Sequence, residues 1–188
     1  MNSLRRMLNT FAGEPVDRLA VQPILMTLAA RLHGVPYSEY LLDHRVLVEA
    51  QLRMIEEFDV DVLTLCSDPC RETQDCGAAV KWFADQPPAH DPTDPFLKEK
   101  SQLLALKQPD PLGGGRMHDR VRGAAYGRQR VGDEVPVLGW VEGPMAQAAD
   151  MRGITEIMYD VVDDPAFVLD LFEFVLEMEL SFAKAQLD

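Results

Sequence analysis

The sequence predicts an α/β fold in which about three parallel strands are joined by crossover helices, and three observations carry that reading. Short apolar runs bounded by turn residues recur at residues 19–25, 61–66 and 134–141. Stretches with helical spacing separate and follow them, and such alternation implies parallel pairing through crossovers. The runs are apolar without a polar face, as strands are when both sides are covered. Three strands cannot close a barrel of eight, and periodicity alone leaves a doubly wound open sheet as an alternative.

In chain order, Leu4, Met7, Leu8 and Phe11 give residues 3–11 one helical stripe, which Gly13 stops. Residues 15–18 turn the chain into the first strand, 19–25, whose Pro23 sits near the strand end, where a missing donor is tolerated. A short helix covers 26–32 up to His33-Gly34, and another begins at Ser38. Asp43 caps a longer helix over 44–58. Val48, Leu52 and Ile55 form its stripe, widened by Leu47, Met54 and Phe58. The second strand, 61–66, ends at Ser67-Asp68-Pro69, and 78–83 suits one strand of a small hairpin. Pro87, Pro88, Pro92, Pro95, Pro109 and Pro111 mark residues 85–112 as an excursion, interrupted by a helix over 96–106. Gly113 to Gly115 is a flexible joint before a helix at about 116–130, and 134–141 is the third strand. Asp164-Pro165 is a cap with proline at the first helical position. Val168, Leu171, Val175, Met178 and Phe182 then carry a long amphipathic helix to the end. Residues 1–188 read as a single domain.

Composition narrows the function. A hydrophobic fraction of 47% with 26% charged residues is that of a folded protein rather than a disordered one. The net charge of −13 argues against nucleic acid, which needs a basic face, and weakly against anionic membrane surfaces. The one basic cluster, Arg116, Arg120, Arg122, Arg128 and Arg130, reads as solvated helix positions. No apolar run approaches the ~18–20 residues of a membrane span. Met1-Asn2-Ser3-Leu4-Arg5-Arg6 lacks the apolar stretch of a signal peptide. Cys66, Cys70 and Cys76 are odd in number and read as free thiols in a reducing compartment, so the expected location is cytoplasmic.

Chemistry in such a fold gathers where strands end. Asp68 would emerge behind an apolar strand, either as an acid/base or hydrogen-bond acceptor or as a helix cap with Pro69 behind it. Glu142 sits in a glycine-rich turn after the third strand, suited to a ligand or to solvent. The cysteine spacing fits no zinc pattern, Gly113 to Gly115 lacks the Lys-Ser/Thr ending of a phosphate loop, and no nucleophile elbow is present.

Four stretches together resemble the uroporphyrinogen decarboxylase superfamily over essentially the whole chain. They are Arg6-Met-Leu-Asn-Thr-Phe-Ala-Gly-Glu-Pro-Val-Asp-Arg18, Leu65-Cys-Ser-Asp-Pro69, Gly139-Trp-Val-Glu-Gly-Pro144 and Ala149-Asp-Met-Arg-Gly153. The resemblance implies a (β/α)8 barrel of the TIM type, present as its N-terminal half, with a cleft at the C-terminal face of the strands. It implies Asp68 as the catalytic residue, matching the aspartate that holds pyrrole N–H groups in the decarboxylases. It implies Thr27, Arg31, Glu142 and Asp150 as substrate-binding positions.

Two of these depart from the decarboxylating pattern. Thr27 stands where that branch carries an arginine, with only Arg31 matching the second, and Asp150 stands nearest its tyrosine. Losing a cation and gaining an anion disfavours a substrate with eight carboxylates. The branch favoured is therefore the corrinoid-dependent methyltransferases, moving a methyl group from a corrinoid on a partner protein to a thiol or pterin. Porphyrinogen decarboxylation, a lyase reaction, is the runner-up, and a non-catalytic module that docks a corrinoid protein is a third reading. The zinc of that branch is held by a His-x-Cys pair and a distant cysteine, expected beyond residue 188, so no metal ligand is assigned here. A half-barrel exposes edges and apolar faces, so a homo-oligomer or association with a second half is expected.

Overall fold

The structure, a computed structural model, describes residues 1–187; Asp188, the last residue of the expected span, lies outside them. The described residues are mostly helical with two short parallel strands, and they divide into two compact units.

The first unit comprises Met1–Ser67, Ala84–Gln86 and Asp119–Trp140. Helix α1, Ser3–Ala12, is capped by the Asn2 side chain on the Arg5 N–H and ends at Gly13, whose φ of 70° suits a residue without Cβ. Helices α2, Met26–His33, and α3, Tyr37–Leu42, lead to α4, His44–Phe58, where Asp43 accepts from the Arg45 N–H at 2.8 Å as expected. The buried face of α4 is centred on Leu47, Ala50, Gln51 and Met54, so Leu52 and Ile55 flank it and Phe58 is exposed.

Strand β1, Leu63–Thr64, pairs in parallel with β2, Val137–Leu138, in the register Leu63 to Val137. Helix α6, Arg116–Val131, begins in the second unit and continues in the first, where it packs on β1 through Gly123 and Gly127. A Cβ at either glycine would lie 3.3 Å from a leucine methyl of the β1 segment. Leu47, Val48, Met54, Leu63 and Leu65 lie at the centre of this unit's core.

Three strands were expected and two are found, because residues 19–25 form no strand. Leu19, Val21 and Ile24 are exposed, and Pro23 has no N–H to give. The run docks instead on one side chain: the Val21 N–H donates to the Asp61 carboxylate at 2.8 Å, and the Asp61 N–H donates to the Val21 carbonyl at 2.9 Å. The same buried carboxylate accepts from Ser3 at 2.9 Å, Arg6 at 2.6 Å and Arg18 at 2.5 Å. Burial pushes Asp61 upward, but hydrogen bonds from Val21, Arg18, Ser3 and Arg6 outweigh it and hold its pKa below the usual range.

The second unit comprises Asp68–Phe83, Pro87–His118 and Val141–Asp188. Its helices are α5, Arg71–Asp75; α7, Pro144–Arg152; α8, Ile154–Asp163; and α9, Pro165–Leu187. The five expected core residues of α9 are all buried, and Asp164 caps it through the Phe167 N–H. Leu97, Met151 and Ile157 form one cluster with Val168, Leu171, Val175 and Met178.

Here too the structure corrects the sequence reading. The hairpin reduces to one antiparallel bridge, Lys81 to Ala89, and the helix over 96–106 to a 3-10 turn, Lys100–Ala105. Arg116 and Arg120 are not solvated: Arg120 is fully buried and Arg116 is paired, because they share the α6 face that carries buried Met117. Arg122, Arg128 and Arg130 are exposed as expected. Among the described residues no helix is long and apolar enough to cross a membrane.

Candidate functional site

The chain leaves β1 under tight control. The Tyr40 hydroxyl donates to the Cys66 carbonyl at 3.2 Å and receives a bond from Gln51 at 2.8 Å, while Tyr37, stacked on Tyr40, donates to the Ser67 carbonyl. Asp68 follows, with its side chain fully buried. Its two oxygens meet both terminal nitrogens of Arg116, at 2.8 and 2.5 Å, a bidentate geometry that fixes the carboxylate plane. Asp68 also accepts from the Cys70 N–H at 3.2 Å. It thus stabilises the turn into α5 without being the capping residue, which is Cys70, and Pro69 stays outside the helix. Arg116 lies over the Trp82 ring, 5.1 Å from its centroid.

Beyond Asp68, carboxyl groups from four segments gather. Glu72 on α5 is fully buried, paired with Arg71 and bonded by the Gln147 amide at 3.2 Å. Glu142 precedes α7, Asp150 lies on α7, and Glu179 projects from α9. Burial, then the charges of Glu142, Glu72 and Asp68, push Asp150 up to about 7. Burial, then Glu72, push Glu179 up to about 8; Arg71 opposes this, and the Glu142 main-chain N–H polarises the carboxyl without reaching hydrogen-bond geometry. Glu72 is raised by burial against the pull of Arg71. Asp150 therefore exchanges a proton near neutrality, as a general acid or base must.

Of the residues expected from sequence, Asp68, Glu142 and Asp150 are brought together in the second unit. Thr27 and Arg31 lie on α2 in the first unit, four residues apart and exposed. Sequence reasoning missed Arg71, Glu72, Arg116, Gln147 and Glu179. One signal was available: Glu179 falls within the apolar stripe of α9, between Val175 and Phe182, where a charged residue is buried.

The cysteines are poor metal ligands. Burial pushes Cys70 and Cys76 up to about 12, away from the thiolate that binds metal. Among the described residues no group of three His, Cys, Asp or Glu could hold a metal ion, so zinc does not fit those residues. A cavity of about 420 Å³ beside α1, lined by Leu4, Arg5, Leu8 and Asp133, holds none of the expected site residues.

Compared with known proteins, the chain matches the family described as uroporphyrinogen decarboxylase (URO-D) over residues 2–188. No match is found among curated proteins. Among solved structures it is similar to a methyltransferase from Methanosarcina mazei, with a TM-score of 0.85 and 20% identity. That likeness covers 100% of this chain and 56% of the other, so the chain shares the fold of a part of that protein and spans about half its length.

Proposed function

The chain belongs to the uroporphyrinogen decarboxylase family, and from that premise we propose that it supplies the N-terminal half of a (β/α)8 barrel that transfers a methyl group. The donor is a methyl-corrinoid carried by a partner protein, and the acceptor a thiol or a pterin. Residues 1–188 are then one portion of a single barrel, with 85–112 as an excursion within it. The fold likeness to a methyltransferase supports this reading.

The observation that carries it is the charge of the site. Asp68, Glu72, Glu142, Asp150 and Glu179 gather around Arg71 and Arg116, and those guanidiniums already pair with Glu72 and Asp68. A substrate bearing eight carboxylates would meet like charge there, which is costly where water is scarce. A methyl donor and a small acceptor bring no such charge. In this reading Asp68 is the catalytic residue, held in orientation by Arg116. Asp150 exchanges a proton with the substrate, and Glu142, Thr27 and Arg31 are substrate-binding positions. Since zinc does not fit the described residues, no step is assigned to it.

Two anaerobic assays test the proposal. The chain is expected to bind a methylated corrinoid protein in calorimetry, and to leave uroporphyrinogen unchanged by porphyrin chromatography. Formation of coproporphyrinogen, or absence of corrinoid-protein binding, overturns it. Binding with no thiol-dependent demethylation, even when the remaining barrel segment is supplied, replaces it with the docking module.

A further inference from the structure

We infer that the carboxyl cluster of the second unit is a binding site for a small organic cation that donates N–H hydrogen bonds, an alkylammonium or guanidinium head. The inference stands on the site's own geometry and does not depend on the methyl-transfer reading.

An acidic cluster alone is no site; what points to a ligand is its unfilled valence. Glu179 is only 4% exposed, it faces Arg71, Glu72 and Glu142, and neither of its oxygens has a hydrogen-bond partner. Gln147 is fully buried and spends its amide N–H on Glu72, leaving its own Oε1 without a partner. No hydrogen bond or ion pair holds the Asp150 carboxyl among the described residues. Apart from Arg116 Nε, the partnerless buried side-chain atoms of this unit are all acceptors. What the cluster lacks is donors.

Leaving buried acceptors unmade costs about 1–3 kcal/mol each, more when charged. A ligand that brings donors and positive charge together answers both deficits. The guanidiniums present cannot do so, since Arg71 is engaged by Glu72 and the Phe182 ring, and Arg116 by Asp68. A metal ion is disfavoured because no three ligating side chains are placed to hold one among the described residues. Glu142 and Asp150 are half-buried, the most exposed carboxyls of the cluster, and are the side a cationic head would approach.

A bound cation favours the ionised carboxyls, so binding expels protons from Asp150 and Glu179 near neutral pH. The experiment is isothermal calorimetry with n-butylammonium chloride at about pH 7.5 in two buffers of different ionisation enthalpy. Sodium and tetramethylammonium chloride at equal ionic strength are the controls. Saturable binding of the primary ammonium with proton release is expected. Losing one charge-assisted bond in Glu179→Gln should weaken it by roughly ten-fold or more. If circular dichroism shows that Glu179→Gln fails to fold, Asp150→Asn, on the solvent side, carries the same expectation. Absence of saturable heat, equal heat with sodium, or unchanged affinity in the folded variant overturns the inference.

Discussion

Glu179 takes up a proton when the chain folds, because burial and its neighbour Glu72 lift its pKa to about 8 from the ordinary carboxylate range; Asp150 does the same at about 7. Between the unfolded and folded values the native state binds more protons, so stability falls as pH rises through that window. We predict that the free energy of unfolding in urea decreases from about pH 5 to about pH 8, by a few kcal/mol at most. Glu179→Gln should flatten much of that slope; an unchanged slope would place the proton elsewhere. Asp61 works the other way, its lowered pKa giving stability that is lost in acid. At this scale the sequence spoke unevenly. Asp68 was legible because it follows an apolar run. Arg116 was not, because only the fold shows that its helix face turns inward onto a buried carboxylate.

Helices were legible where caps and stripes agree, as in α4 with Asp43 and α9 with Asp164-Pro165. Two of the three strands were legible too, but the first was not, because an apolar run of seven residues reads alike whether it pairs or merely docks. Residues 19–25 dock on the Asp61 carboxylate, a partner no periodicity reveals. Helices α7 and α8 escaped notice because Gly153, at φ 89°, breaks one helical stretch into two. The close approach of α6 to β1 gives a test of the element. Gly127→Ala gains about 1 kcal/mol of helix propensity and meets the Leu63 methyl at 3.3 Å, so its net effect should be small. Gly127→Leu must displace Leu63 and Val137 and should cost about 1–3 kcal/mol. Equal urea midpoints for the two variants would show that α6 does not pack there.

For the molecule as a whole, the part-length relation to the methyltransferase has an energetic side. Ile154, Met158 and Val162 share one face of α8 and are exposed, as are Leu169, Leu176 and Leu180 on α9. Apolar faces of this kind are normally covered in a soluble protein. We predict that the purified chain associates, with itself or with a supplied second barrel segment. Size-exclusion chromatography with light scattering checks this, and a stable monomer at micromolar concentration would count against it. This was legible in the sequence only as a mismatch between three expected strands and a barrel of eight.

The convergence of Ser3, Arg6, Arg18 and Val21 on Asp61 sets a timetable for synthesis. The opening helix is among the earliest parts to leave the ribosome, and its Arg6 finds one counter-ion nearby in sequence, Asp17, but the bond to Asp61 forms only once residue 61 has emerged. Its Leu4 amide waits longer, for the carbonyl of Glu134. Segments far apart in translation are therefore fastened together late, and until then Asp17 is the carboxylate within reach of Arg6.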